Sequence, residues 1–349
     1  MRMLLLAERI SDRAWSPTAV VVPLARALAE EGSVVLAVDV ASGDVEAWPA
    51  EVRVRRPGVG ADERDPLGFR AWARGVRKET EHDVSVSFSP LADADVVVAL
   101  TPAGEREGRV ALTRRGVVSR AFEAIDRGRA LGASAAGSRG EGLALPPVSL
   151  MEPGAGADVR AVLGIQPGGL MVLASSAHAE EEAFVALVRG FASLPGEAVL
   201  VLAGRWSYLG YEAASRAGVA DRVRVVGGTA RMRDLILACD VACAPSMHGS
   251  GRFAADALRL GKPVLAPRGS RGGVVVASAG EPRPGIVVSE EGGGWSGALG
   301  RACDAGWREG AGARAREVSE RFAVERLVEF VRELACGVSG RPRPGRGRR

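Results

Sequence analysis

The feature that most constrains this chain is an alternation of apolar segments with amphipathic ones, which starts again after residue 150. In the first half, Met3–Ala7 and Val34–Val40 are predicted strands, and Pro17–Glu31 between them has a helical pattern. In the second half, Leu170–Ala174 and Ala198–Gly204 repeat that arrangement. Apolar strands separated by helices are typical of parallel sheets covered on both faces. The sequence therefore predicts an α/β fold with two Rossmann-like, doubly wound domains that face a cleft.

The domain boundaries are predicted from the point where the alternation restarts, and a length of 349 residues suits two domains. We assign residues 1–150 to an amino-terminal domain, residues 151–338 to a carboxyl-terminal domain and residues 339–349 to a disordered basic tail. The stretch Glu152–Ala157 is a linker candidate. The last predicted helix, Val318–Ala335, is able to pack back onto the first domain.

The composition excludes several classes of protein. With 47% apolar and 25% charged residues, the chain is neither disordered nor collagenous nor a coiled coil. No apolar run reaches the roughly 18 residues that a membrane span requires, and the run Met3–Leu6 is too short for a signal peptide. The four cysteines lack CxxC spacing and histidines number three, which argues against a zinc site or disulfides. We expect a cytoplasmic protein.

The basic character is concentrated at the carboxyl terminus. Residues 341–349 contain five arginines and no acid, and without them the formal charge of +4 falls to −1. This tail is interpreted either as a solvated appendage or as a segment that contacts an anionic membrane surface. Two tyrosines and eight phenylalanines leave few stacking surfaces, so we expect no nucleic-acid partner.

The most informative stretch is Ala244–Pro267, in which a predicted strand is followed by a glycine-rich loop and a helix. Gly249, Ser250 and Gly251 precede the helix, where backbone N–H groups and the helix dipole favour an anion. Asp256 lies where it can accept hydrogen bonds from a ribose diol. The alternative is an ordinary loop with an N-cap serine and a solvated aspartate.

The segment from Cys239 to Ala266 resembles the donor-binding segment of retaining GT-B glycosyltransferases of the family 4 type. Matching residues are Pro245-Ser246, Gly249-x-Gly251 and Gly261-Lys262-Pro263-Val264. The two glutamates of that pattern fall on His248 and Asp256, with the spacing kept. In the first half, "HDVSVSFSPLADADVVVAL" and "LALPPVSL" most resemble the bacterial lipopolysaccharide core glucosyltransferase branch.

This resemblance implies a GT-B fold and the transfer of a sugar, with retention of configuration, from a nucleotide sugar to a glycan or glycolipid acceptor. It implies lipopolysaccharide biosynthesis, and a place in the cytoplasm or at the inner face of the membrane. It also implies that no metal, no cofactor and no protein nucleophile takes part, since the nucleotide sugar is a substrate. The alternative is a non-catalytic GT-B protein that binds a glycan, a nucleotide or a partner subunit.

The resemblance also suggests roles for particular residues. His248 and Asp95 are the catalytic candidates, toward the donor sugar and the acceptor respectively. The donor-binding candidates are Gly249, Ser250, Gly251, Asp256 and Arg205. For His248 the alternative is a loop histidine bonded to backbone, for Asp95 a turn residue at a strand start, and for Arg205 a surface arginine.

The sequence departs from the family pattern at both phosphate-binding positions. Trp15-Ser16-Pro17 stands where the family has Gly-Gly, and Ser175–His178 followed by Glu180–Glu182 stands where the family has an arginine and a lysine. A diphosphate leaving group needs positive charge or N–H donors, and Arg205 is the nearest substitute. Asp93-Ala94-Asp95 also spells the metal-binding Asp-x-Asp of GT-A enzymes, but the second alternating half favours GT-B.

Overall fold

The computed structural model describes residues 2–11, 21–30, 32–42, 52–55, 66–87, 96–99, 109–112, 143–144, 149, 151, 154, 159–175, 181–204, 207–227, 231–247 and 251–339. The chain divides into two compact units. The first comprises Met1–Pro146 together with Val324–Arg349, and the second comprises Pro147–Ala323. Among the described residues, no helix is both long enough and apolar enough to cross a membrane.

The first unit contains a seven-stranded sheet in the order β3-β2-β1-β4-β5-β6-β7. Its strands are β1 (Arg2–Ser11), β2 (Ser33–Ser42), β3 (Val52–Arg55), β4 (Val84–Ser87), β5 (Val96–Ala99), β6 (Arg109–Leu112) and β7 (Leu143–Ala144). Its first two helices are α1 (Val21–Ala29) and α2 (Pro66–Glu79). Strands β1 to β5 are parallel, whereas β6 and β7 each run antiparallel to the preceding strand. Leu4, Leu5 and Leu6 are fully buried because β1 lies in the middle of this sheet.

The second unit contains a six-stranded parallel sheet in the order β10-β9-β8-β11-β12-β13. Its strands are β8 (Met171–Ser175), β9 (Val199–Ala203), β10 (Val223–Val226), β11 (Val241–Cys243), β12 (Val264–Pro267) and β13 (Gly285–Val288). Its helices are α3 (Glu181–Ala192), α4 (Ser207–Arg216), α5 (Met232–Ala238), α6 (Gly251–Arg259), α7 (Arg271–Ser278), α8 (Gly294–Ala302) and α9 (Ala305–Val318). Apolar clusters on both faces of the sheet form the core. The predicted α/β class with two doubly wound sheets is confirmed.

The last helix, α10 (Val324–Ser339), belongs to the first unit, where it packs against α1, β4 and β5. This differs from the sequence-based assignment of residues 151–338 to the second domain. The apolar side chains of Leu327, Val328 and Val331 are buried on one side of the helix, which explains its docking. Residues 340–349, most of the predicted tail, lie outside the described part of the chain.

The carboxyl-terminal helices also divide differently from the sequence prediction. The sequence pattern of Trp295–Trp307 predicts one helix, but α8 ends at Ala302 and α9 begins at Ala305. The side chain of Asp304 explains the break, because it caps α9 by accepting a hydrogen bond from the Trp307 N–H at 2.9 Å. The predicted helix Val318–Ala335 is likewise interrupted by a 3₁₀ turn over Ser319–Phe322.

Candidate functional site

The order of the second sheet reverses direction between its two central strands, β8 and β11. In open α/β sheets, ligands bind at such a switch point, beyond the carboxyl ends of the strands. Strand β8 ends at Ser175, and β11 is followed by the segment Ala244–Met247. Ser175 and Ser246 are both buried at this edge. The fold therefore identifies the carboxyl edge of β8 and β11 as the candidate site.

Helix α6 begins beside this edge, and two of the residues proposed from the sequence, Gly251 and Asp256, lie on it. It starts at Gly251, and its first turn carries no acidic residue. His248, Gly249 and Ser250 immediately precede it but lie outside the described residues, as do Arg205 and Asp95. The roles suggested for these five residues therefore stay predictions.

Asp256 is the candidate whose surroundings the structure describes in most detail. Its side chain is buried, with 5% of the residue exposed. One carboxylate oxygen accepts a hydrogen bond from the Ser149 hydroxyl at 2.6 Å. The other lies 4.0 Å from Nε of Arg252, one helical turn earlier. The alternative interpretation of a solvated aspartate is wrong, and the predicted ribose contact stays a prediction.

The burial of this pair shifts both of its ionisation equilibria. Burial raises the pKa of the Asp256 carboxyl to about 6, although Arg252 and the Ser149 hydroxyl act in the opposite direction. Burial also lowers the pKa of the Arg252 guanidinium, which nearby Asp256 partly offsets. Arg252 thus adds positive charge in the first turn of α6, close to the positive end of the helix dipole.

A second loop, between β12 and α7, lies against the segment Ala244–Met247 that follows β11. The sequence analysis did not identify this second loop. The backbone N–H of Arg271 donates to the carbonyl of Met247 at 3.3 Å, which joins the two loops. Ser270 caps α7 by accepting from the Gly273 N–H at 2.9 Å. A Cβ on Gly272 would lie 3.0 Å from the Cβ atoms of two strand-end alanines, so α7 starts directly on the sheet. The glycine-rich run "RGSRGG" was the available signal.

The acidic residues after β8 belong to the beginning of helix α3. Glu181 and Glu182 occupy its first turn, where negative charge stabilises the helix dipole. Glu181 also forms an ion pair with Arg216 of α4 at 2.8 Å. The amino terminus of α3 therefore carries two acids, whereas the first turns of α6 and α7 contain no acid. An anion at this edge is favoured near α6 and α7.

The described residues contain no group of three or more histidine, cysteine, aspartate or glutamate side chains placed to hold a metal ion. The Asp93–Asp95 motif lies outside those residues.

Comparison with known proteins gives one sequence match. Residues 169–301 match the profile of the family described as glycosyl transferases group 1. This stretch begins just before β8 and ends in α8, so it contains the whole carboxyl edge described above. No curated protein sequence matches the chain.

Several solved structures resemble almost the entire chain. WaaG, described as a glycosyltransferase involved in lipopolysaccharide biosynthesis, is 17% identical with a TM-score of 0.69, over 97% of this chain and 100% of WaaG. Sucrose-phosphate synthase from Thermosynechococcus elongatus gives the same four values. HepE from Anabaena, solved in complex with UDP, is 15% identical with a TM-score of 0.62, over 97% of this chain and 100% of HepE. The chain therefore has the two-domain fold of GT-B glycosyltransferases.

Proposed function

We propose that this chain is a glycosyltransferase that moves a sugar from a nucleotide-sugar donor to a glycan or glycolipid acceptor, with retention of configuration. The observation that carries the proposal is the match of residues 169–301 to the glycosyl transferases group 1 profile. That match falls on the unit whose carboxyl edge has a ligand-binding topology. The structures of HepE with UDP and with UDP-glucose support a nucleotide sugar as donor.

The donor diphosphate is proposed to bind at the amino terminus of α6. Backbone N–H groups of Gly249, Ser250 and Gly251 would surround the phosphates. Arg252 in the same first turn would add positive charge, which the segment after β8 does not supply. Arg205, which follows β9 in the sequence, is a further candidate for this role.

The reaction needs little from the protein beyond positioning and charge. His248 would hydrogen-bond a hydroxyl of the donor sugar, and Asp95 would face the acceptor. As the diphosphate leaves, it would take the proton of the attacking acceptor hydroxyl, so that no protein nucleophile is used. N–H donors and cations aimed at the leaving group stabilise it most in the transition state.

The acceptor is proposed to be a lipopolysaccharide-type glycolipid, with the protein acting at the inner face of the membrane. Two structural neighbours support this choice. WaaG is described as acting in lipopolysaccharide biosynthesis, and WaaB as a lipopolysaccharide outer core galactosyltransferase. The arginine-rich tail would then favour contact with anionic lipid.

One observation favours a second candidate, a non-catalytic GT-B protein that binds a glycan, a nucleotide or a partner. The acids at the start of α3, Glu181 and Glu182, stand where the family places its basic residues. Negative charge there opposes a diphosphate by Coulomb repulsion. This candidate keeps the fold but needs no leaving-group stabilisation.

A binding and turnover experiment separates the two candidates. UDP, GDP and ADP are titrated into the protein by calorimetry, and the matching nucleotide sugars are tested for transfer to a lipopolysaccharide core acceptor and for donor hydrolysis. The enzyme is expected to bind one diphosphate and release it from the corresponding nucleotide sugar. Binding without any release supports the non-catalytic protein, and absence of binding contradicts the nucleotide-sugar proposal.

A further inference from the structure

The first and last segments of the second unit meet on helix α6. The backbone N–H of Ser149 donates to the carbonyl of Phe322 at 2.7 Å, and the Ser149 hydroxyl donates to the Asp256 carboxylate at 2.6 Å. Ser149 lies two residues after the unit begins at Pro147, and Phe322 is the penultimate residue before it ends at Ala323. Both ends of the unit are thus attached to the helix that opens on the candidate donor loop.

The direction of the Ser149 hydrogen bonds follows from their partners. The hydroxyl oxygen accepts from the Met151 N–H at 2.9 Å, and its single proton is therefore directed to Asp256. Ser149 is 3% exposed and Asp256 is 5% exposed. A hydrogen bond from a hydroxyl to a carboxylate is stronger than a neutral one, and breaking it here would leave a buried carboxylate without this donor.

A second attachment lies three residues further along the same helix. Arg259, which is 7% exposed, forms an ion pair with Glu320 at 2.5 Å. Glu320 belongs to the 3₁₀ turn that ends the unit. We call the set Ser149, Asp256, Arg259, Glu320 and Phe322 the terminal clasp. Because residues three apart share a helix face, the clasp holds one face of α6 at two successive points.

We infer that Asp256 is a positioning residue for the donor site, acting through Ser149 on the placement of helix α6. This inference rests on the proposed function. Asp256 follows Gly251 by five residues, or about 7.5 Å along the helix axis. A helix fixed at Asp256 and Arg259 presents its first N–H groups in one place, which lowers the ordering cost of binding a diphosphate.

The clasp gives Asp256 a different use from the ribose contact that the family resemblance suggests. One carboxylate oxygen is occupied by Ser149, and the other faces Arg252. If Asp256 bound the ribose, its substitution would weaken binding of the ribose nucleotide but not of the form that lacks that hydroxyl. A positioning residue would affect ribose and deoxyribose nucleotides equally.

The experiment compares Ser149→Ala, Ser149→Thr and Asp256→Asn with the unchanged protein. UDP, GDP and ADP, and the 2′-deoxy form of whichever binds, are titrated by calorimetry. Ser193→Ala is the control for loss of a serine hydroxyl, because this exposed side chain makes hydrogen bonds to the Gly190 carbonyl at 2.7 Å and the Ser296 hydroxyl at 2.8 Å, but belongs to the loop before β9. Circular dichroism and thermal melting establish that each variant is folded.

We expect Ser149→Ala and Asp256→Asn to weaken binding of both nucleotide forms by the same factor, about tenfold or more for a lost charge-assisted hydrogen bond. Ser149→Thr keeps the hydroxyl and restores affinity, and Ser193→Ala changes nothing. The inference is overturned if Ser149→Ala binds as tightly as the unchanged protein. It is also overturned if Asp256→Asn loses the discrimination between ribose and deoxyribose while Ser149→Ala keeps it.

Hydrogen exchange without ligand separates failure of this inference from failure of the proposed function. In the unliganded protein, Ser149→Ala is expected to speed exchange of the amides in the first turns of α6, Gly251–Phe253, at least tenfold over the Ser193→Ala control. Unchanged exchange contradicts the positioning role. Absence of any nucleotide binding to the unchanged protein contradicts the proposed function, and this exchange experiment then still decides on the clasp.

Discussion

At the scale of single residues, burial of the Asp256 carboxyl is unfavourable for its charged form, but the group also makes a hydrogen bond with Ser149. Removing a carboxylate from water disfavours its charged form, and this outweighs the opposing effects of Arg252 and the Ser149 hydroxyl. The folded protein therefore holds a proton on Asp256 more tightly than the unfolded chain does. The hydrogen bond from Ser149 orients the group in either state of protonation.

The raised pKa predicts a pH dependence of stability. Between the ordinary value of 3.8 and about 6, the folded state binds more protons at Asp256 than the unfolded state. Its contribution to the free energy of unfolding therefore falls as pH rises through this window and is constant above it. Relative to Asp256→Asn, the unchanged protein should lose up to about 3 kcal/mol between pH 4 and pH 7. Urea unfolding of both proteins measures this, and a constant difference would contradict it.

A second prediction compares two candidate residues in the donor loop and helix. Asp256→Ala should weaken binding of the nucleoside diphosphate more than His248→Ala does. The first change disrupts the clasp or a ribose contact, whereas His248 is predicted to face the sugar, which a nucleoside diphosphate lacks. We expect His248→Ala to reduce turnover instead. Calorimetric titration gives the affinities, and an equal, undiminished affinity of both variants would remove Asp256 from the site.

At the scale of elements, glycines decide how closely the helices approach one another. A Cβ on Gly190 of α3 would lie 2.5 Å from the Trp295 Cβ and 2.8 Å from its carbonyl carbon in α8. The contact involves backbone, which cannot move aside as a flexible side chain would. Gly190 therefore sets the spacing of α3 and α8 on one face of the second sheet.

Gly190→Ala should destabilise the protein by about 1–3 kcal/mol, because the overpacking exceeds the gain in helix propensity. Gly310→Ala is the matched control. Gly310 also lies inside a helix, α9, but no neighbouring atom is within 4 Å of its added Cβ. That substitution should stabilise the protein by up to about 1 kcal/mol. Chemical denaturation of both variants tests the pair, and stabilisation by both would refute the close contact.

The sequence predicts five of the six strands of the second unit, because their apolar runs are continuous and well separated, but not β13 or helix α7. Strand β8 follows from Leu170–Ala174, and β12 follows from Pro263–Ala266. Helix α9 was missed between Trp307 and Val318, because its glycines and arginines obscure the helical periodicity. The start of α9 is defined by one capping residue, Asp304, and a single residue was not enough to indicate a new helix.

The candidate site was less predictable than the fold, for a physical reason. The glycine-rich segment Gly249–Gly251 could be recognised from the sequence, because glycines before a helix are a local signal. The hydrogen bond between Ser149 and Asp256 joins residues 107 positions apart, and no local pattern encodes it. The loop Pro267–Ser270 comes close to Met247 only because β11 and β12 pair in the sheet.

At the scale of the whole molecule, charge is distributed unevenly along the chain. The nine residues after Gly340 change the formal net charge from −1 to +4. They contain no apolar residue that could be buried in a core. Their effect is therefore expected on association with charged surfaces and not on folding.

Deleting Arg341–Arg349 should leave the melting temperature within about 1 °C, because no buried surface is lost. The same deletion should weaken co-sedimentation with vesicles that contain phosphatidylglycerol, and added salt should weaken binding of the full chain in the same way. Vesicles of phosphatidylcholine alone are the control. A fall of several degrees would show that the tail docks on a folded unit.

The return of α10 to the first unit has a consequence for how the chain is made. A ribosome releases the first unit's strands early, but the helix that covers part of α1, β4 and β5 emerges only after residue 323. The second unit, by contrast, is continuous in sequence and can fold as it is released. The unit that is synthesised first is therefore completed last, and its apolar surface must wait for the end of translation before that helix covers it.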